Sequence, residues 1–340
     1  MNHRRHRRLF AALAIAVAVV VGAAFTTACK PSAPTAGNEH GHDGNALGTI
    51  GTPDQAFKRD PALTGPINVV CTTGMIADVT RRVGGEFVTV TQLMNFVSDP
   101  HSYKATEGDV RALSGAEVIF YNGLMLEGKM SDLFARMSSK RLTVPVGEAV
   151  PQELRREVAG HPDPHIWFDV SLWQRATKLI CEALANYDNL HAEKIRRNWR
   201  KVDADLDQLH QVAKQHIAQI PKERRVLVTA HDAFGYFGRA YDIEVRAIQG
   251  ISTEDEAGVA AINELKQFIV QRKIRAVFIE STVNPRSIQS LIEGCESMGH
   301  KVVVGGELFS DAMGEAGKEG DTYLGMVRHN VDTIVQALGE

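Results

Sequence analysis

The chain has only 4 cysteines in 340 residues and no C-x-x-C pair. This excludes a disulfide framework and argues against a structural zinc site held by thiolates. Cys71, Cys181 and Cys295 each sit in an apolar stretch and read as buried thiols packed as small hydrophobes. H-E-x-x-H and comparable paired motifs are also missing, which removes the common route to a hydrolytic zinc centre. Neither sign of charge dominates: the formal net charge is −3, which argues against nucleic acid or anionic lipid as the main partner. The uncharged apolar run at residues 9–25 is about 17 residues long, slightly short for a bilayer span.

That run belongs to an export signal. Arg4, Arg5, Arg7 and Arg8 precede it, and Thr26-Thr27-Ala28-Cys29 follows as a small-residue cleavage site. The segment resembles a bacterial lipobox, with Cys29 as the lipidated residue, although Thr26 stands where Leu is usual. The alternative is ordinary cleavage near Ala28 with Cys29 left free. Residues 30–65 are rich in Pro, Gly, Ala, Ser and Thr and cannot bury a core, so they read as a flexible tether. His40 and His42 in it belong to a polar tail. About 275 residues remain from Pro66 onward, enough for two ordinary domains.

Those residues alternate β-branched runs with helical patterns. Strands are expected at 67–72, 87–94, 117–121 and 142–146, with helices at 75–83, 106–113 and 124–137 between them. This grammar predicts a mostly parallel sheet flanked by helices. It restarts after Pro221, with strands at 225–229, 244–248, 276–280 and 301–304 and helices at 234–241, 258–271, 285–298 and 321–338. The Thr253 to Glu256 spacing matches a capping box and suggests a helix start near Asp255. Between the two halves, residues 191–219 lack Gly and Pro and repeat apolar residues at helical intervals, from Ile195 and Trp199 to Leu209 and Ile217. One helix of roughly 43 Å is predicted, long enough to join both lobes; an extra packing helix inside the second lobe is the alternative. The expected organisation is a leader (1–29), a tether (30–65), an α/β lobe (66–190), a linking helix (191–219) and a second α/β lobe (220–340).

Open α/β sheets place ligands at the carboxyl ends of their strands, and the polar oddities of the chain fall there. Asp99-Pro100-His101-Ser102-Tyr103 recurs in outline as Asp163-Pro164-His165-Ile166-Trp167. Proline sets φ and Asp can bond the turn backbone, so each loop can aim its imidazole. His231 ends an apolar strand, and Asp311 lies beyond another. Singly, each of these is more ordinary as a turn, cap or loop residue, and His161 competes with His165. Together they offer three imidazoles and one carboxylate, two donors from each lobe. Such donors suit a first-row divalent ion and disfavour calcium and magnesium.

These residues carry a specific resemblance. With Tyr121-Asn122-Gly123-Leu124, Thr229-Ala230-His231-Asp232, Glu280-Ser281-Thr282 and Ser310-Asp311, the chain resembles the solute-binding lipoproteins of zinc, manganese and iron ABC importers, the cluster A-I family, from about Pro66 to the end. The resemblance implies that His101, His165, His231 and Asp311 are the ligands of one transported ion and that one long rigid helix joins two lobes. It also implies that the partners are a membrane permease and its cytoplasmic ATPase. Manganese-dedicated members often carry glutamate at the third ligand, where this chain has His231; the His-rich loop of zinc-dedicated members is reduced to Gly128-Lys129-Met130-Ser131. The expected cargo is therefore Mn2+ or Zn2+, with Fe2+ also compatible. Asp169, Asp232 and Glu280 are candidates to orient imidazoles, with capping and ion pairing as alternatives. The expected protein is a non-enzymatic, exported, lipid-anchored monomer in the periplasm or at the cell surface. A surface adhesin and an exported metallohydrolase are the rival classes.

Overall fold

The computed structural model describes residues 57–255 and 258–339. The expected leader, Cys29, His40, His42 and most of the tether lie outside them.

The first lobe runs β1 (Ile67–Cys71), α1 (Gly74–Gly84), β2 (Val88–Gln92), α2 (Glu107–Gly115), β3 (Val118–Tyr121), α3 (Ser131–Ser138) and β4 (Leu142–Pro145). Its four strands are parallel, in the order β2-β1-β3-β4. β1 and β3 lie inside this sheet and are almost wholly buried, which is why they read as continuous rather than alternating apolar runs. The chain reverses its direction of travel across the sheet between β1 and β3, and that reversal opens a crevice at the strand ends. A short antiparallel hairpin, β5 (Glu157–Val158) with β6 (His161–Pro162), follows.

The second lobe comprises β7 (Val226–His231), α6 (Gly235–Tyr241), β8 (Glu244–Gln249), α7 (Val259–Arg272), β9 (Ala276–Glu280), α8 (Arg286–Ser297), β10 (Val303–Leu308) and α9 (Tyr323–Gly339). β7 pairs in parallel with β8, β9 with β10, and β7 lies beside β9. The two lobes are thus both α/β with parallel strands, as the alternation predicts.

Two helices follow in the chain before the second lobe: α4 (Val170–Tyr187), which packs on α1 of the first lobe, and α5 (Ala192–Ile217). α5 is the expected linking helix. Its 26 residues span roughly 39 Å, and it packs on α1 and α4 at one end and α9 at the other. Ile195, Val202, Leu206, Leu209, Ala213 and Ile217 form its buried stripe. Each large aliphatic side chain there contributes about 1.5–3 kcal/mol through removal from water, so both lobes are anchored to one rod. α4 is not among the elements expected from the sequence. Asp169 caps it, accepting the N–H groups of Ser171 and Leu172, and Trp173, Ala176, Ile180 and Leu184 bury its inner face.

Two element starts differ from expectation. Helix is absent from residues 124–127: Gly123, Leu124 and Met125 take φ of 74°, 52° and 66°, and α3 begins at Ser131 after a single 3-10 turn. The cause is Glu127, whose buried carboxylate accepts the Asn122 and Gly123 N–H groups and the Thr72 hydroxyl, drawing the chain into a loop. Likewise α7 starts at Val259, with Gly258 as its N-cap, rather than near Asp255. The Thr253 hydroxyl does not cap a helix; it donates to Asp99 across the crevice at 2.7 Å.

Candidate metal centre

Four strand-end loops converge between the lobes. His101 lies beyond β2, His165 between β6 and α4, His231 is the last residue of β7, and Asp311 lies beyond β10. All four are buried, His101 the least at 7% exposure and His165 and His231 at 0%. One donor atom from each lies within 4.8 Å of every other.

The three rings turn the same nitrogen inward. His101 Nε2 is 3.3 Å from His165 Nε2 and 3.8 Å from Asp311 Oδ2. His165 Nε2 is 3.3 Å from Asp311 Oδ1, and His231 Nε2 is 3.2 Å from Asp311 Oδ2. Yet neither oxygen of Asp311 accepts a hydrogen bond of sound geometry, and His231 Nε2 has no such partner either. Buried polar atoms are almost always satisfied. A carboxylate and an imidazole left without hydrogen bonds, facing two further imidazole nitrogens, are arranged around a shared centre that a cation would satisfy.

Each ring is held from behind. Asp163 Oδ1 lies 2.7 Å from His165 Nδ1 and also accepts the His165 N–H at 3.0 Å. Glu280 Oε2 lies 2.6 Å from His231 Nδ1, while its Oε1 accepts the Ala230 and His231 N–H groups at 2.8 and 2.9 Å. The Asp311 loop is tied to the other lobe, because the Trp167 indole donates to the Ser310 carbonyl at 3.0 Å. Asn330 braces the same loop, its side chain bonding both the N–H and the carbonyl of Phe309.

The electrostatics follow from burial and one shared carboxylate. Burial pushes the His101 imidazole down to about 4, with Asp311 opposing and the two other rings adding to the shift. For His165 burial also lowers the pKa, but the carboxylates of Asp163 and Asp311 outweigh it and carry the ring up to about 9. His231 is likewise raised well above its ordinary value, against burial, by Glu280 and Asp311. Burial acts to raise Asp311, but the surrounding imidazoles hold it well below the usual carboxylate range. The raised rings and the lowered carboxylate are two sides of one attraction between His165, His231 and Asp311.

Among the three carboxylates expected to orient imidazoles, Glu280 contacts His231. Asp169 instead caps α4, and Asp232 faces Arg156 at 3.7 Å. Asp163 holds His165 and was not expected, although the Asp-x-His spacing is its signal. The matching Asp99 behaves differently: it accepts the His101 N–H, but its other oxygen takes the Ser102 and Thr253 hydroxyls and not the ring. His161 lies outside the four-donor cluster, at the mouth. There a cavity of about 290 Å3 is lined by His101, Met125, Lys129, His161, Ser252 and Glu254. Cys71, Cys181 and Cys295 are buried free thiols, away from this cluster.

A family model described as zinc-uptake complex component A periplasmic, ZnuA, matches residues 69–337. The zinc-binding protein TroA of Treponema pallidum (strain Nichols) is 45% identical over 296 residues, covering 86% of this chain and 96% of TroA. The manganese-binding lipoprotein MntA of Bacillus subtilis (strain 168) is 42% identical over 275 residues, covering 80% of this chain and 90% of MntA. Among solved structures, periplasmic zinc-binding TroA from Treponema pallidum superposes with a TM-score of 0.79 at 44% identity, over 82% of this chain and all of that one.

Proposed function

The chain belongs to the zinc-uptake complex component A family, the substrate-binding proteins of metal ABC importers, and from that premise we propose how it performs the task. It is an extracytoplasmic binding protein that carries a divalent transition-metal ion to an importer built from a permease and an ATPase. We assign His101, His165, His231 and Asp311 as the ligands of one ion, held between lobes at residues 66–190 and 220–340 that are joined by residues 191–219. The observation that carries this assignment is the group of four buried donors, two from each lobe, facing one another within 4.8 Å, with Asp311 and His231 Nε2 not satisfied by hydrogen bonds.

The cargo is Mn2+ or Zn2+, with manganese favoured slightly and Fe2+ compatible with the same donors. Zinc precedes manganese in intrinsic affinity for such a site, so metal supply as well as affinity decides what is carried. Four protein donors complete a tetrahedral shell and leave no position for an activated water, so the reading is of a carrier rather than a hydrolase. Capture takes place at the crevice, and a limited lobe movement completes the shell before the protein docks on its permease. Export with lipidation at Cys29 places a monomer at the membrane surface.

The test is metal analysis of tag-free protein lacking residues 1–29, stripped with chelator and reloaded with equal zinc, manganese and iron. One bound equivalent in the parent and its loss in His231→Ala is the expected result. No tight binding in either protein refutes the assignment.

A further inference from the structure

Behind His165 and His231, one guanidinium lies between carboxylates of both lobes. Arg156, just before β5, pairs through Nη1 with Asp163 Oδ2 and lies through Nη2 at 3.7 Å from Asp232 Oδ2. Asp163 is the residue whose other oxygen holds His165. Asp232 directly follows His231 in the chain. The sequence Asp232, Arg156, Asp163, His165 therefore crosses from one lobe to the other without passing through the metal position.

The surroundings are shaped for this side chain. The Arg156 backbone N–H donates to Tyr236 Oη at 2.9 Å, Tyr236 Oη donates to the Asp163 carbonyl at 3.2 Å, and the Asp163 N–H donates back to the Arg156 carbonyl at 2.8 Å. The guanidinium carbon lies 5.8 Å from the centre of the Tyr236 ring. Gly235 makes the room: a Cβ there would fall 1.4 Å from Arg156 Nη1. Asp163 is wholly buried, and a buried carboxylate is costly unless it is paired. Arg156 pairs one oxygen and leaves the other for the imidazole. Its planar fork can face two carboxylates at once, which the point charge of lysine does less well.

We infer that Arg156 is a positioning residue for metal retention, a cross-lobe strut that holds Asp163, and through it His165, in register with His231. The inference rests on the assignment of the four ligands. Carboxylates behind metal-binding histidines typically alter affinity by about 10–100-fold when removed. Loss of the strut should act mainly on how fast the ion leaves, because Arg156 is neither one of the four donors nor part of the lining of the mouth.

The experiment uses mature protein loaded with Mn2+ and mixed in a stopped-flow instrument with excess chelator. Arg156→Lys removes the fork. Gly235→Ala displaces it sterically and alters no charge. We expect both variants to release the ion about 10–100-fold faster, with a changed Mn2+ electron paramagnetic resonance spectrum and metal-free melting close to the parent. Parent-like release and spectrum in either folded variant, whatever its melting temperature, overturn the inference. A parent protein that binds no ion overturns the ligand assignment itself.

Discussion

Glu280 approaches His231 from the side opposite Asp311: Oε2 is 2.6 Å from Nδ1, while Nε2 faces Asp311 at 3.2 Å. The two atoms are close, yet they do not meet hydrogen-bond geometry. The contact is an ion pair, and burial of both side chains at 0% exposure keeps water from screening it. Glu280 also accepts two backbone N–H groups at the end of β7, so its position is set independently of the ring.

Replacing Glu280 with Gln keeps the shape and removes the charge. Metal affinity is expected to fall by about 10–100-fold, measured by competition with a chromogenic chelator. An unchanged dissociation constant would show that Glu280 serves only to end the strand.

Metal binding should release protons. His165, raised to about 9, and His231, raised well above its ordinary value, are expected to carry protons at pH 7 before metal binds; His101, at about 4, is not. Ligation requires neutral rings, so about two protons leave per ion at pH 7, and affinity should rise with pH towards 9 and fall on acidification. Calorimetry in buffers of different ionisation enthalpy reads this number directly, and a proton count near zero contradicts the arrangement.

The same shift has a consequence for the metal-free fold. The His165 pKa is raised above its ordinary 6.5, so the stabilisation it contributes is fully present below 6.5 and is lost as pH rises through about 9. Thermal melts of stripped protein should therefore decline from pH 6.5 to 9. Metal-loaded protein should show no such decline in that window, because its ring is already neutral.

Metal should also raise the melting temperature of the stripped protein. An ion at 1,000 times its dissociation constant adds about 4 kcal/mol if it binds only the folded state. Scanning fluorimetry with and without Mn2+ or Zn2+ checks this, and Asp311→Ala is expected to remove most of the shift. A full shift in that variant would place the ion elsewhere.

Thr253→Val removes one hydrogen bond across the crevice, the 2.7 Å contact with Asp99, and nearly preserves side-chain volume. A typical bond contributes about 0.5–1.5 kcal/mol, so release of the ion should quicken by a factor of roughly 2–10. The neighbouring Lys129–Glu254 pair, 2.5 Å apart with both side chains at least one-third exposed, should matter less, since exposed pairs contribute about 0–1 kcal/mol. If Lys129→Ala has the larger effect on release, this ordering is wrong.

Much of the site was legible in the chain because its donors sit where parallel strands end. The position beyond a strand is a local property, and two copies of Asp-Pro-His made the first lobe's donors conspicuous. The helices were legible where apolar residues repeat without competition. α4 falls outside the strand–helix alternation although Trp173, Ala176, Ile180 and Leu184 repeat at helical spacing, and its cap, Asp169, reads in the sequence equally well as a partner for an imidazole. The loop at 123–127 could not be read from periodicity, because Glu127 gains more from capturing backbone N–H groups than residues 124–127 gain from starting a helix.

By itself the sequence determined the alternation of strand and helix, the apolar stripe of α5 and the donor types, since each depends on residues near in the chain and on side-chain chemistry. Only the tertiary structure decided which carboxylate serves which ring. Asp99 and Asp163 precede their histidines identically, yet Asp99 turns to Thr253 of the facing lobe while Asp163, partnered by Arg156, turns to the imidazole. The choice is made by what meets each carboxylate's second oxygen: for Asp99 a hydroxyl of the facing lobe, 154 residues away, and for Asp163 the Arg156 guanidinium of its own lobe, 7 residues away.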